Sequence, residues 1–532
     1  MIKKIISVLA VTVMLSLLCS CKAGDWLKDR FSFAVPGNDA VADNTEVVSE
    51  KPNIINAGVY DFDTFNPLVT QSQSVKEAMQ FVYEPLFSLD DEMRTVPVLA
   101  KDFSVSPDGK RIVINLRDDV MWHDGTKFGA EDVAYTIKCI RSGQTSYTDA
   151  LYNVRDYLMT DDYSIRIDLN YSVPSYESLL TFPIVKYGSD MTVNPSYVPN
   201  GTGAFCYGTK ASTDTYYFGA FENYRDGRAK IDALYVNMLD SYEDYLNMLE
   251  VSEIDFSSNK IINLTEYMPK GNVKINNYPE NDMVFWGFNT SSHVLSGNLT
   301  RQALSKLIDK GELVETIIFS HGKPSDIPIN PNSYLYTDTK TDFKVDDVGA
   351  NDCLGDDGWG PDADGTYVRQ SGDNYEKLEL EILVNADNKE HTQVAEALAD
   401  NLMDFGITAT INPLPYDAYL ARIESNSYDT FIGEIMLDNN MDLSPLTRAE
   451  NNYFAYSSEA LDTLCAQIGM TRNEDEVKEL FSRYCETLLN DMPFATLYFK
   501  DGALLSTSNV VSGIAPVSGM IYRNCANWSI RK

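Results

Sequence analysis

Apolar and polar residues alternate in several short segments of the chain, as they do in strands that bury one face. Arg111 to Arg117 and Ser164 to Leu169 show this alternation. The Ser106-Pro-Asp-Gly109 turn precedes the first of them and predicts a hairpin. A different period, of three to four residues, follows the acidic Gly129-Ala-Glu-Asp132 segment and predicts a helix that runs through Val133 to Ile140.

Both periods occur in order between Leu378 and Ile411. Leu378 to Val384 predicts a strand, Val394 to Phe405 predicts a helix that stops at Gly406, and Ile407 to Ile411 begins another strand. A strand, a helix and a second strand form a βαβ-like unit, so the predicted fold class is mixed α/β. Earlier in the chain, we expect Thr300 to cap a helix and Gly311 to end it.

The N terminus carries a long apolar run. Lys3 and Lys4 precede Ile5 to Leu18, an order typical of a secretory signal. The run has about 14 residues, fewer than the roughly 20 that span a membrane as a helix. Leu18-Cys19-Ser20-Cys21 then resembles a bacterial lipobox, in which the Cys21 thiol carries a lipid. The alternative is an ordinary signal peptide in which Cys21 is incidental.

From this pattern we predict a lipoprotein signal peptide over residues 1–20 and a lipidated N terminus with a flexible tether over residues 21–52. Two or more acyl chains hold a protein to a membrane stably. The predicted location is the extracytoplasmic face of the bacterial cell membrane, with Cys21 as the lipid anchor.

Composition and charge narrow the possible partners. The 532 residues are too many for one hydrophobic core, so we expect two or three lobes. The 43 Lys and Arg against 78 Asp and Glu give a net charge of −35. Nucleic acids and anionic lipids are bound by clustered Lys and Arg. The sequence therefore argues against a nucleic-acid partner.

No catalytic constellation is visible in the sequence. It contains no G-x-S-x-G elbow, no H-E-x-x-H and no Walker lysine motif. The 4 His are far apart, and the cysteines after Cys21 form no CxxC pair. We therefore expect no enzymatic activity, no metal site and no cofactor, and leave open whether the cysteines form a disulfide.

Several segments, in order, are similar to the family 5 solute-binding proteins of ABC importers, the oligopeptide- and dipeptide-binding group. The most diagnostic is Met121-Trp-His-Asp-Gly-Thr126, followed by Gly129-Ala-Glu-Asp-Val133. The others are Phe65-Asn-Pro-Leu68, Val82-Tyr-Glu-Pro-Leu-Phe87, Pro97-Val-Leu-Ala-Lys101, Ser106-Pro-Asp-Gly-Lys110, Leu116-Arg117, Gly201-Thr-Gly203, Asn223-Tyr224, Phe288-Asn-Thr290, Arg301-Gln-Ala303, Ile308-Asp309, Gly358-Trp359, Asp364-Gly365 and Phe405-Gly-Ile407. The likeness covers about residues 53–532. We interpret the Trp-His-Asp-Gly and Gly-Thr-Gly motifs as marks of the fold and not as ligand contacts.

The resemblance implies a two-lobed periplasmic-binding-protein-like fold of class II, with an extra inserted domain and a hinge between the lobes. The first lobe would comprise residues 53–85, 199–285 and 505–532, the inserted domain 86–198, and the second lobe 286–504. The chain would cross between the lobes near residues 285–287 and again near 499–503. Closure of the hinge around a ligand is the expected motion.

The resemblance also implies a function. A lipid-anchored monomer would capture oligopeptides in the cleft between the lobes and deliver them to the permease subunits of an ABC importer. Alternatives are an oligosaccharide or a metal chelate on the same scaffold, an extracytoplasmic hydrolase, or a sensory lipoprotein. The few histidines count against a chelate, and the missing nucleophile motifs count against a hydrolase.

Candidate ligand contacts follow from positions relative to the family motifs. Peptide-binding members pair the ligand's ammonium with an Asp just after a Gly-Trp segment. The matching region here, Tyr428 to Pro445, lacks the Trp, and its acid is Glu434, Asp438 or Asp442. The predicted ligand-binding residues are Gln71, Ser72, Gln73, Trp286, Asn289, Glu434, Asp438 and Tyr498.

Overall fold

The computed structural model describes residues 53–143, 145–264, 270–338, 342–447 and 453–531. The predicted signal peptide, Cys21 and the tether lie outside the described residues. Within the described ranges, no helix combines the length and the apolar character needed to cross a membrane. Cys139, Cys206, Cys353, Cys485 and Cys525 are free thiols.

The strands, in chain order, are β1 (Ile54–Val59), β2 (Phe87–Leu89), β3 (Thr95–Pro97), β4 (Ala100–Val105), β5 (Arg111–Leu116), β6 (Val154–Asp161), β7 (Ser164–Leu169), β8 (Phe205–Lys210), β9 (Thr215–Ala220), β10 (Ala233–Met238), β11 (Phe256–Ser258), β12 (Lys274–Phe288), β13 (Gly322–Pro324), β14 (Trp359–Pro361), β15 (Tyr367–Ser371), β16 (Asn374–Lys377), β17 (Glu379–Asn385), β18 (Thr408–Leu414), β19 (Thr430–Met436), β20 (Phe494–Ser506), β21 (Val510–Ser512) and β22 (Ser529–Ile530). The α-helices are α1 (Gln73–Ala78), α2 (Ala130–Arg141), α3 (Tyr242–Glu250), α4 (Asn298–Lys306), α5 (Lys310–Thr316), α6 (Asp347–Asp356), α7 (Lys389–Phe405), α8 (Tyr416–Glu424), α9 (Glu459–Met470) and α10 (Glu474–Asp491).

Three sheets carry the architecture. In the segments expected to form the first lobe, β1 lies parallel to β10, and the sheet continues antiparallel through β9 to β8. Residues 86–198, the segment expected to form the inserted domain, contain an antiparallel sheet with the order β4-β5-β7-β6. The largest sheet has the order β11-β20-β12-β19-β17-β18, with β13 against β20. Its mixed strands and flanking helices give the two-lobed α/β fold of periplasmic binding proteins.

The local structure follows the sequence pattern at several predicted places. The predicted hairpin is β4 and β5, with Gly109 at a positive φ of 66° in the turn, and the next predicted strand is β7. The predicted βαβ unit is confirmed as β17, α7 and β18, with the two strands parallel. Helix α7 ends at Gly406, whose φ of 97° is a left-handed conformation that glycine adopts without a steric penalty.

The prediction for the helix near residue 300 is wrong at both ends. Helix α4 begins after Gly297, and Thr300 lies inside it, where its hydroxyl bonds to Asp357 and accepts a hydrogen bond from the Trp359 indole. Gly311 lies inside the following helix, α5, which Asp309 caps. The Thr300 hydroxyl makes tertiary contacts and does not cap a helix. The apolar period predicted a single helix, but the structure has two, and Asp309 caps the second.

The long strands β12 and β20 pass from one hydrophobic core to another. Tyr278 and Leu504 pack in the core that the first lobe shares with the inserted domain. Met283 and Phe499, further towards the second lobe on the same two strands, pack in a separate core. The change of core therefore lies at about residues 279–282 of β12, and the lobe crossing expected near residues 285–287 stays a prediction.

Candidate functional site

The β12–β20 ladder is interrupted where it passes between the cores. Pro279 has no N–H to donate. It lies opposite Asp501, and the next pair along the strands is Asp282 with Lys500, so residues 280–281 bulge out of the ladder. A bulge bends a strand locally. The sequence thus provides a natural bending point on the strands that join the cores.

The backbone carbonyls of the bulge find partners in the second lobe. Glu280 O accepts a hydrogen bond of 2.6 Å from Asn330 Nδ2. Asn281 O accepts one of 2.8 Å from the N–H of Leu437, just after β19. The side-chain Oδ1 of Asn281 is buried and has no partner among the described residues. The bulge is thus anchored through its backbone while this side-chain oxygen remains unpaired.

A group of ionisable side chains, called the Lys500 cluster, lies beside the bulge. Its members are Asp282, Glu390, His391, Glu434, Tyr498 and Lys500. Lys500 Nζ contacts Glu434 and lies 3.3 Å from Asp282 Oδ2 and 3.8 Å from Glu390 Oε2. His391 Nε2 lies 2.9 Å from Glu434 Oε2, and the Tyr498 hydroxyl donates to Glu390 Oε1 at 2.8 Å. One ammonium therefore balances carboxylates from three elements.

Electrostatics divides the acids of this cluster into two kinds. Burial acts to raise the pKa of Glu434, but the hydrogen bond to His391 and the charge of Lys500 outweigh it and lower that pKa. Burial raises the pKa of Asp282, and repulsion by Glu434 adds to it although Lys500 opposes. Glu434 is thus the ionised partner of Lys500, and Asp282 is the acid that retains its proton more readily.

A second acidic group lies on the first-lobe side of the bulge. Gln73 Nε2 and Ser258 Oγ both donate to Glu77 Oε1, and Lys260 Nζ lies 3.0 Å from Glu280 Oε1. Burial raises the pKa of Glu77 to about 7. The crossing, where β12 and β20 pass between the cores, therefore has titratable carboxyls on both sides, buried at Glu77 and only partly buried at Asp282.

A cavity of about 420 Å³ lies between the inserted domain and the second lobe. Its apolar wall includes Phe103, Ile112 and Val173 from the inserted domain, and Ile468 and Phe481 from the second lobe. Ligand pockets typically enclose about 300–1,000 Å³, with a mostly apolar wall and a few polar groups. The cavity therefore has the size and the wall of a site for a compact solute.

The polar side chains of the wall include Ser175, Glu177, Tyr334, Asn440, Arg472 and Glu474. Asn440 is 1% exposed, and its Nδ2 has no hydrogen-bond partner among the described residues. Asn440 also borders a smaller void together with Asn281, whose Oδ1 is unpaired as well. A buried polar atom without a partner costs about 1–3 kcal/mol. A ligand that bonds to these amides would recover that free energy.

Contacts between the inserted domain and the second lobe hold the walls of the cavity together. The Tyr334 N–H donates to Glu92 O at 3.0 Å, and the Arg94 guanidinium lies 4.7 Å from the centre of the Tyr334 ring. The Ser172 hydroxyl donates to the carbonyl of Gly469. The cavity wall is thus assembled from parts of the chain that lie far apart in sequence.

Comparison with known proteins identifies the family. Residues 94–454 match the model of the bacterial extracellular solute-binding proteins, family 5 Middle. The chain belongs to this family. The family consists of non-enzymatic, extracytoplasmic binding proteins that work with ABC importers, so the protein is a solute-binding protein with permease partners.

Relatives of this solute-binding protein span nearly its whole length. The glutathione-binding protein GsiB of Escherichia coli K12 is 22% identical over 494 residues, which cover 87% of this chain and 92% of GsiB. The oligopeptide-binding protein AppA of Bacillus subtilis is 19% identical over 475 residues, covering 84% and 86%. The solved structure of HbpA2 from Haemophilus parasuis has a TM-score of 0.75 at 17% identity. The match covers 90% of this chain and 100% of the HbpA2 chain.

The structure brings some of the predicted ligand-binding residues of this solute-binding protein to the crossing. Glu434 and Tyr498 belong to the Lys500 cluster, and Gln73 bonds to Glu77 on the other side of the bulge. Asp438 is exposed on the segment that follows β19. Gln71 is also exposed, with its amide donating to Val69 O at 3.2 Å.

Other predicted residues have structural partners within their own lobe. Ser72 caps α1 by accepting from the Val75 N–H. The Asn289 amide donates to the carbonyls of Asn426 and Tyr428, and Trp286 lies fully buried in a second-lobe core. As ligand contacts, all eight residues stay predictions.

Sequence reasoning missed Lys500, Glu177, Asn440 and Arg472. Lys500 had a signal, because it lies two residues after Tyr498 and side chains two apart in a strand share a face. Glu177 and Arg472 had none, since only the tertiary fold brings them to one cavity.

Proposed function

We propose that this solute-binding protein captures short oligopeptides in the cavity between the inserted domain and the second lobe, and delivers them to the permease of an ABC importer. The observation that carries the proposal is this cavity, with its apolar wall and the unpaired amide of Asn440. Asn440 offers a free donor, and Asn281, which borders the smaller void next to Asn440, offers a free acceptor. A peptide group presents the complementary C=O and N–H, and main-chain hydrogen bonds are the usual way to hold an extended peptide.

The position of the cavity supports capture and release. Its two walls belong to parts of the chain joined by the β12–β20 crossing, so a ligand that contacts both walls binds the closed arrangement better than an open one. A ligand shifts a conformational equilibrium only through such a difference in affinity. The names of GsiB and AppA, which bind glutathione and oligopeptides, agree with a peptide ligand.

The test is thermal unfolding of the full chain, purified in detergent, against defined pools of peptides, oligosaccharides and metal chelates. A ligand that binds only the native state raises the melting temperature as its concentration rises. We expect peptide pools to raise it. If an oligosaccharide or a chelate raises it and no peptide pool does, the peptide assignment is wrong.

We also propose that a lipid on Cys21 holds the protein at the membrane beside its permease. A short tether can keep an effective concentration in the millimolar range, so weak docking to the permease would suffice. Cys21→Ala should leave peptide binding unchanged and abolish retention in the membrane fraction and peptide uptake by cells. Retention of the variant in the membrane fraction would contradict the anchor.

A further inference from the structure

The charged residues that line the cavity are Glu177, Arg472 and Glu474. Glu474 already has partners, because its Oε1 lies 3.2 Å from Arg94 Nη2 and 2.7 Å from Lys478 Nζ. Glu177 and Arg472 act on one another electrostatically but form no ion pair, with each other or with any other described residue. Neither charge therefore has an ionic partner among the described residues, and of the two Glu177 is buried whereas Arg472 is exposed.

The Glu177 carboxylate is held in an unfavourable environment. The residue is 9% exposed and lies in a short helical turn, Tyr176–Leu179, of the inserted domain. Burial raises the pKa of Glu177, and the attraction of Arg472 only partly offsets that effect. A buried carboxylate costs free energy unless a cation or hydrogen-bond donors satisfy it. The site therefore favours a ligand that brings a positive charge.

Arg472 offers the complementary group from the second lobe. Its Nη1 donates to the carbonyls of Gly469 at 2.8 Å and Thr471 at 2.7 Å, beyond the C-terminal end of α9. These bonds fix the guanidinium, while its Nε and Nη2 donate to no described residue. A guanidinium with free donors is suited to bind a carboxylate.

We propose that Glu177 and Arg472 bind the two ends of a short zwitterionic peptide, Glu177 its ammonium and Arg472 its carboxylate. This recognition rests on the proposed function and specifies its ligand as a di- or tripeptide with both ends free. The cavity of about 420 Å³ limits the ligand to a compact one. Because the two residues come from the inserted domain and from the second lobe, one ligand would satisfy both charges and tie the two walls together.

The experiment begins with calorimetric titration of the full-length protein in detergent with unmodified di- and tripeptides. The tightest binder is then made with an acetylated N terminus, with an amidated C terminus and with both. We expect each modification to weaken binding to the unaltered protein about tenfold or more, as expected for the loss of one charge-assisted contact.

Variants connect each end to its residue. Glu177→Gln should weaken the unmodified peptide about tenfold and leave the affinity for the acetylated peptide unchanged. Arg472→Gln should weaken binding of the unmodified peptide about tenfold and leave the affinity for the amidated peptide unchanged. Arg472→Lys should bind the unmodified peptide more tightly than Arg472→Gln does. The matched charge controls are Glu479→Gln and Arg483→Gln on the exposed side of α10, which should change no affinity.

The outcomes separate this inference from the proposed function. If Glu177→Gln weakens free and acetylated peptides by the same factor, the ammonium assignment is wrong while peptide capture stands. If longer peptides bind and no di- or tripeptide does, recognition of both ends is also wrong and capture again stands. If only an oligosaccharide or a chelate binds, both the inference and the peptide proposal fail.

Discussion

Removal of the charge of Glu84 should destabilise the protein strongly, because this carboxylate is the partner of a buried arginine. Glu84 Oε1 contacts Arg225 Nη1, and the side chains are 5% and 10% exposed, respectively. Glu84 also accepts hydrogen bonds of 3.0 Å each from the hydroxyls of Thr202 and Tyr224. Burial lowers the pKa of Arg225, but attraction by Glu84 outweighs it and holds the pKa above its usual value.

The expected magnitude follows from this burial. Loss of one partner of a buried ion pair costs about 3–5 kcal/mol, because the other charge is left uncompensated. In Glu84→Gln the amide oxygen still accepts from a hydroxyl, and Arg225 keeps Asp226 at 3.1 Å as a more exposed partner. We therefore expect a loss near the lower end, about 3 kcal/mol in the free energy of unfolding.

Urea unfolding of the full chain in detergent, followed by tryptophan fluorescence, measures this loss. The cycle comprises Glu84→Gln, Arg225→Met and the double variant, and a coupling of about 2 kcal/mol or more is expected for residues in contact. The control is Glu222→Gln, since Glu222 is 73% exposed in its pair with Arg228 and should contribute less than about 1 kcal/mol. Losses that add within about 0.5 kcal/mol would refute the reasoning.

Three further variants test the crossing and its surroundings by the same assay. Lys500→Met leaves the acids of its cluster without their shared ammonium, so it should cost about 3 kcal/mol at pH 8 and less at pH 5, where protonation relieves the repulsion; equal losses would contradict this. Glu77 has a folded pKa of about 7, above its unfolded value, so the folded state holds a proton that the unfolded state releases, and stability falls as the pH rises from 5 to 7. Glu77→Gln should make that fall shallower, because Asp282 and Asp501 also have raised pKa values, and it should be the more stable protein at pH 8. An unchanged pH slope would count against this prediction. Gly201→Ala would place a Cβ 1.8 Å from the Val82 carbonyl oxygen and should cost at least about 1–3 kcal/mol, whereas Gly360→Ala, with open space around it, should be nearly neutral.

The surroundings of Glu84 show what sequence motifs can and cannot predict. Glu84, Thr202 and Tyr224 each belong to a different segment that resembles the family, and the structure brings all three into one hydrogen-bonded group. We interpret the Gly-Thr-Gly motif, which contains Thr202, as a mark of the fold, and the hydrogen bond from Thr202 to Glu84 gives that interpretation a physical basis. The order of the segments predicted the family and the fold, but no spacing in the sequence predicted that the segments meet.

Local patterns were reliable where a single period or cap decides the structure. The unit of β17, α7 and β18 follows from alternation, helical period and Gly406, all of which act within a few residues. Thr300 was misassigned because its hydroxyl bonds to Asp357, a residue far along the chain. Tertiary contacts of this kind override local preference, and the walls of the cavity depend on them throughout.

The difference between local patterns and tertiary contacts also affects which acid is expected to bind a ligand's ammonium. The family pattern directs attention to the segment around Glu434, but that carboxylate already has an ammonium of its own in Lys500 and a second partner in His391. A ligand ammonium that bound Glu434 would have to displace the ammonium of Lys500. Lys500 would then lose the partner with which it is now paired. Glu177 has no ion-pair partner among the described residues, and it lines the cavity on the wall that the inserted domain forms. The proposed arrangement would leave Glu434 paired with Lys500 on the crossing strands and would have Glu177 of the inserted domain bind the ammonium, while Glu434 as a ligand contact stays a prediction.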